Sequence, residues 1–198
     1  MKKLYLMVGL SLFLTACGAA GTSTGVPTTA PKLDVKVGGK DSTLNVKSTF
    51  VNYSGMAFTA PGKPNIATSV HTIYLANYEM DTTSPGWTKT PLTAPDQMRV
   101  SLELTGEDGT KVESPFKVGT YNAQAENVNG LRLAKIITFA DGKQTETTFD
   151  TMSSSKKATG EVKITSVTAD TVSGEVNLTE GDKSIKGAFT TKLPAAKK

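Results

Sequence analysis

Apolar and polar residues alternate with a period of two along most of this chain. Met98, Val100, Leu102 and Leu104 are interleaved with Arg99, Ser101, Glu103 and Thr105. Val172, Gly174, Val176 and Leu178 are interleaved with Ser173, Glu175, Asn177 and Thr179, and Ile185, Phe189 and Leu193 share a face at the same spacing. Successive side chains of a strand point to opposite faces, so this pattern predicts strands with one face in a core and the other in water. The many Thr and Val residues suit the same pleated surface. Asp141-Gly142 separates Leu131–Ala140 from Lys143–Phe149, and Asp108-Gly109 follows Met98–Leu104. Asp-Gly supplies the positive φ angles of a type I′ hairpin turn. Thr168–Thr171 and Glu180–Lys183 set off three closing strands near 160–167, 171–179 and 184–193. No helical stripe follows the first segment. Short strands with frequent turns predict an all-β, antiparallel β-sandwich, with a barrel as the alternative.

The first thirty residues are of another kind. Met1-Lys2-Lys3 precedes an apolar run from Leu4 to Leu14, interrupted by Gly9 and Ser11. That run is about half the twenty residues a transmembrane helix needs. A basic start, a short apolar stretch and small residues after it make a secretory signal peptide, residues 1–16. Gly18 to Lys32 reads GAAGTSTGVPTTAPK, too poor in apolar surface to offset its ordering entropy. Residues 17–32 are therefore expected to form a flexible tether reaching about 20 Å. Residues 33–194 then form a single β domain, expected to bury roughly 70% of its unfolded surface, and 195–198 are a basic tail.

The run closes with Leu14-Thr15-Ala16-Cys17, which resembles the lipobox of bacterial lipoproteins. The resemblance implies cleavage before Cys17, a diacylglycerol thioether on that residue and acylation of the new amine. The partner so implied is a membrane, held through two or three acyl chains where one chain alone anchors only marginally. Gly18 follows where an aspartate signals inner-membrane retention, which by the same resemblance points to the outer membrane of a Gram-negative cell. In a Gram-positive cell the lipid would hold the protein on the outer face of its one membrane. A second resemblance, to uncharacterised bacterial β-sandwich lipoproteins, rests on Phe116-Lys-Val-Gly-Thr-Tyr121 and on the glycine-bearing meander Gly160–Val167, Val172–Val176 and Ile185–Phe189. It implies a fold and an address but no chemistry.

Composition removes most reaction classes. Cys17 is the only cysteine and His71 the only histidine. One of each supplies neither a disulfide framework nor a zinc site, so no metal and no cofactor is expected. His71 lies in Ser69–Tyr78, a strand apolar on both faces, and no nucleophile elbow accompanies it. It is read as packed or hydrogen-bonded. A carboxylate pair needs no motif, but Asp108, Asp141 and Asp182 sit in glycine-containing turns, where Asp is expected, and Glu103, Glu146, Glu161 and Glu175 fall on the water side of their strands. Asn122, Glu126, Asn127 and Asn129 are oxygen ligands of the type calcium takes, without the regular spacing of a calcium loop. A plain polar connection is the expectation there. Of 22 bases, Lys2 and Lys3 leave with the signal, giving 20 against 18 acids; without Lys197 and Lys198 the balance is 18 to 18. No basic stripe marks a nucleic-acid surface.

One segment departs from the strand pattern. Asp81–Asp96 reads DTTSPGWTKTPLTAPD, with three prolines and the only tryptophan. Loops of this length are often functional. Trp87 is the candidate ligand-binding residue, presenting its ring to a sugar or a protein; otherwise it folds back to plug one end of the sandwich. The sequence thus predicts a lipid-anchored, non-enzymatic binding or structural module of the cell envelope, with an envelope protein or glycan as its possible partner. The alternatives are a carbohydrate- or peptidoglycan-binding module using Trp87 and a carboxylate-based envelope hydrolase.

Overall fold

The structure is a computed structural model that describes residues 31–58, 65–84, 86–123, 125, 128–151 and 157–194. Cys17, the tether before Pro31, Glu126, Asn127 and the basic tail lie outside the described residues. Eleven strands follow one another: β1 (Lys32–Val37), β2 (Lys40–Asn45), β3 (Ser48–Phe58), β4 (Ile66–Ala76), β5 (Met98–Thr105), β6 (Gly119–Asn122), β7 (Leu131–Ala140), β8 (Lys143–Phe149), β9 (Thr159–Val167), β10 (Thr171–Glu180) and β11 (Lys183–Lys192). Among the described residues the only helical element is one 3-10 turn at Trp87–Lys89.

The strands form two antiparallel sheets. One has the order β2-β1-β11-β10-β9-β6, the other β3-β4-β5-β7-β8. Both have free edges, so the molecule is an open sandwich and not a barrel. The chain changes sheet between β2 and β3, between β5 and β6, between β6 and β7 and between β8 and β9, while β11 returns to pair with β1. Leu33, Val35, Val162, Ile164, Val172, Val176, Leu178, Ile185 and Phe189 line the inner face of the six-stranded sheet. Val51, Ile73, Leu75, Val100, Leu102, Leu104, Ala134, Ile136 and Phe149 oppose them from the other. The period-two pattern produces this core because it keeps each strand's apolar set on one side.

The Asp141-Gly142 hairpin is as expected, with φ of 52° and 73° at its two turn residues joining β7 to β8. Asp108-Gly109 is not a hairpin turn. Only Gly109 has positive φ, at 79°, and its N–H bonds to Ala67 O at 2.8 Å. The chain is captured there by the strand before β5 and leads across one end of the sandwich to β6. Gly174 and Gly187 fall in the inward phase of β10 and β11, where the meander's glycines were expected. A Cβ on Gly174 would stand 2.5 Å from Lys163 O and 2.8 Å from the Phe189 ring, so the absent side chain is what lets Phe189 lie across its neighbour.

Candidate functional site

β4 is buried on both faces: from Thr68 to Ala76 only Tyr74 is partly open. Its inward side chains meet the core, but its outward ones need another cover. The segment between β4 and β5 provides it at the Tyr74–Ala76 end, running as a strap across the outside of the five-stranded sheet, while at the other end Thr68 donates to Gly106 O of the β5–β6 connection at 2.8 Å. Ala76, Arg99 and Ile137 are outward-facing cross-strand neighbours on β4, β5 and β7, yet they are 0%, 3% and 8% exposed. Leu92, from the strap itself, is 3% exposed.

Hydrogen bonds fasten the strap at several points. Asn77 Nδ2 donates to Asp96 O at 2.7 Å and Asn77 Oδ1 accepts from Met98 N at 2.8 Å. Leu92 N donates to Gln144 Oε1 of β8 at 2.7 Å, and Phe139 N donates to Gln97 O at 3.1 Å. At the near end Ser48 Oγ donates to Tyr78 O at 2.6 Å. Asp81 Oδ1 accepts from the Thr83 N–H and hydroxyl at 3.1 and 2.6 Å, and Asp81 Oδ2 from the Ser84 hydroxyl at 3.0 Å. These bonds favour the charged form and hold the Asp81 carboxyl below its ordinary pKa. Gly86, at φ 76° and ψ 14°, then turns the chain into the 3-10 turn that carries Trp87.

The Trp87 ring is partly buried among residues of the sheet's outer face. It meets Phe50 edge-on at 5.2 Å and Tyr74 at 4.8 Å, with interplanar angles of 83° and 69°. The Arg99 guanidinium lies 5.7 Å from its centroid. Trp87 is therefore neither free in solvent nor at an end of the sandwich. Its aromatic neighbours are steeply tilted and do not form a flat row. Arg99, whose sequence phase placed it on the water side, is buried because the strap passes over it. Its Nη2 donates to Thr88 O at 2.8 Å, its Nη1 approaches the Tyr78 hydroxyl at 3.4 Å, and no carboxylate pairs with it among the described residues. The ring face of Trp87 and these oxygens replace its water. Burial raises the Tyr74 and Tyr78 phenols, which Arg99 partly pulls back.

His71 lies inside the sandwich, at the end crossed by the β5–β6 connection. It is 2% exposed, between the rings of Tyr53 at 5.0 Å and Phe116 at 4.3 Å, and its Nε2 is 2.9 Å from Ser114 O. Burial pushes the imidazole below its ordinary pKa, and the bond to Ser114 pulls it partly back. A cavity of about 130 Å³ lies beside it, lined by Ser69, Thr110 and Tyr121 among others. Glu107 and Lys117 also line the cavity and pair at 2.5 Å. The packed histidine of the sequence reading is what the structure contains.

The acids are dispersed. Glu103 is paired with Arg132, Glu146 with Lys135 at 2.5 Å, and Glu180 with Lys183 at 3.0 Å. Asp34 and Asp41 share a shallow groove on the outer face of the six-stranded sheet, where the register sets Lys186 opposite Asp34 and Lys36 opposite Asp41. Asp34 also accepts from the Thr43 hydroxyl at 3.4 Å. Asn122 and Asn129 line different depressions. Among the described residues no group of three or more His, Cys, Asp or Glu residues could hold a metal ion. Arg99 and Phe50 are the neighbours of Trp87 that sequence reading missed. Only a knowledge of where the strap crosses could have found them, since both lie in ordinary strand patterns.

Fold and surface together define a class: an open two-sheet sandwich with an aromatic and arginine cluster held on one outer face by a strap. No family model, no curated protein and no solved structure matches the chain.

Proposed function

We propose that this protein is a lipoprotein of the bacterial cell envelope, anchored by acyl chains on Cys17 and acting there as a non-enzymatic binding or structural module. The observation that carries the reading is the run Leu14-Thr15-Ala16-Cys17, placed directly after a basic start and an apolar stretch of signal length. Lys32, where β1 begins, is fifteen residues beyond that cysteine, so a short Gly/Thr/Pro tether joins lipid to sandwich. In a Gram-negative cell Gly18 directs it to the outer membrane; elsewhere it sits on the outer face of the cell membrane. The recognition surface is the strap-covered face around Trp87, and the partner is an envelope protein. A glycan is the second reading, favoured by the gathering of Trp87, Phe50 and Tyr74 on one face.

The test is lipid labelling. Cells expressing the native chain should incorporate radiolabelled palmitate or glycerol into it, and Cys17→Ser should abolish the label and stop processing, since no other thiol is present. Label persisting in the mutant would sink the anchor reading.

A further inference from the structure

A sandwich with free edges must keep foreign strands from adding to them, because an edge presents a row of unpaired N–H and C=O groups. Three of the four edges here carry the usual protection. β8 bears Lys143 and Glu146. β2 is six residues long and opens with Lys40-Asp41, and β6 is only four residues long. Shortness and edge charges are recognised means of blocking added strands.

β3 has neither. It runs eleven residues, Ser-Thr-Phe-Val-Asn-Tyr-Ser-Gly-Met-Ala-Phe, with no charged residue and no proline. Its register with β4 is unbroken from Ser48 to Phe58, so no bulge twists the edge away. Among the described residues, no backbone–backbone hydrogen bond reaches it from any element but β4; only the Ser48 side chain, at one end, is bonded to Tyr78 O and Met80 N of the strap. Phe50, Tyr53, Met56 and Phe58 are all partly open along it. Val112, 38% exposed, adds to this apolar margin, its Cγ2 standing 3.0 Å from where a Cβ of Gly55 would be.

We propose that β3 is an interaction edge that pairs antiparallel with β3 of a second copy, joining two five-stranded sheets into one. Antiparallel pairing of a strand with itself is two-fold symmetric, so one patch serves both sides. β3 is self-complementary about its midpoint, Tyr53. A register centred there sets Phe50 opposite Met56, Asn52 opposite Ser54, and Val51 opposite Gly55. An aromatic ring meets a thioether, a favourable contact; an amide meets a hydroxyl; a branched side chain meets a residue with none. No like charges face each other, and the near balance of bases and acids in the domain leaves little repulsion between copies. Phe50 already touches Trp87, so the new pair would continue the strap-side cluster across the two-fold axis.

Sedimentation velocity of the full chain in detergent should show a dimer in equilibrium with monomer. Asn52 is exposed on β3, and Asn52→Lys should shift the chain to monomer with its melting temperature little changed. Thr145→Lys, on the exposed β8 edge, should leave the dimer intact. Register is read by disulfide trapping with Cys17 replaced by Ser. A mixture of Asn52→Cys and Ser54→Cys chains should oxidise to the mixed dimer, because facing Cα atoms are about 4.5–5.5 Å apart, within the range of about 4.4–6.8 Å that a disulfide spans. A native chain that stays monomeric, a dimer indifferent to Asn52→Lys, or efficient trapping of each variant with itself would overturn the proposal.

Discussion

Trp87 and His71 show how much one residue's role depends on what passes over it. Trp87 is wedged edge-on between Phe50 and Tyr74 and lies against the buried Arg99 guanidinium. A fully buried Trp lost to Ala costs about 3–5 kcal/mol; this ring is only partly buried, so Trp87→Ala should cost roughly 2–3 kcal/mol. The native fluorescence should lie between the water-exposed and fully buried limits and be partly quenched by acrylamide. A fully red-shifted ring whose loss leaves the melt unchanged would contradict the packing described here. His71 yields a pH signature. Its folded pKa is below the ordinary value of about 6.5, so the unfolded chain takes up a proton more readily than the folded one. Its contribution to stability is therefore complete above about pH 6.5 and declines as pH falls below that towards the lowered folded value. The effect has a ceiling of about 1.4 kcal/mol per pH unit. His71→Gln removes the titrating group, so the native chain should lose more stability than the variant between pH 7 and pH 5. Equal losses would show that His71 protonates as easily in the fold as in the unfolded chain.

At the scale of elements, β10 and β11 show packing that no strand propensity explains. Gly174 lies opposite Phe189 in the register, and the ring occupies the space a side chain would need. Gly174→Val raises strand propensity but drives its Cβ against Lys163 O and the ring. The expected result is a loss of about 2–3 kcal/mol, as overpacking typically brings, measured as a lower denaturant midpoint with an unchanged slope. A stabilised variant would mean the two strands can separate to admit it. The strap is the other such element. Its hydrogen bonds reach β3, β5, β7 and β8, and its three prolines and Gly86 favour turns over strand. That composition marked it as irregular in the sequence; it did not say that the segment would lie flat on a sheet.

For the whole molecule, β5 and the strands from β7 to β11 were legible because alternation, Asp-Gly turns and core-facing glycines are local signals, whereas the four-residue β6 carried no such pattern. Met98–Leu104, Leu131–Ala140, Lys143–Phe149 and the three closing strands all fall where the pattern set them, as does the hairpin at Asp141-Gly142. Other features were beyond reach of that reading. Asp108-Gly109 looks like a hairpin turn, but its N–H is claimed by Ala67 O, 42 positions earlier in the chain. Arg99 sits in the water phase of its strand and is buried all the same, since the strap that covers it belongs to a different stretch of sequence. Whether the strands close into a barrel or open into a sandwich depends on which edges find partners, and β11 pairs with β1 from the far end of the chain. By itself the sequence determined the all-β class, the alternation that makes a two-faced strand, and the residue types available for chemistry. Those are properties of neighbours along the chain. Only the tertiary structure decided the sheet order, the burial of Arg99 beneath Trp87, and the one long edge left without charge. Each depends on residues far apart in sequence meeting in space, and a period of two carries no information about which strand comes to lie beside which.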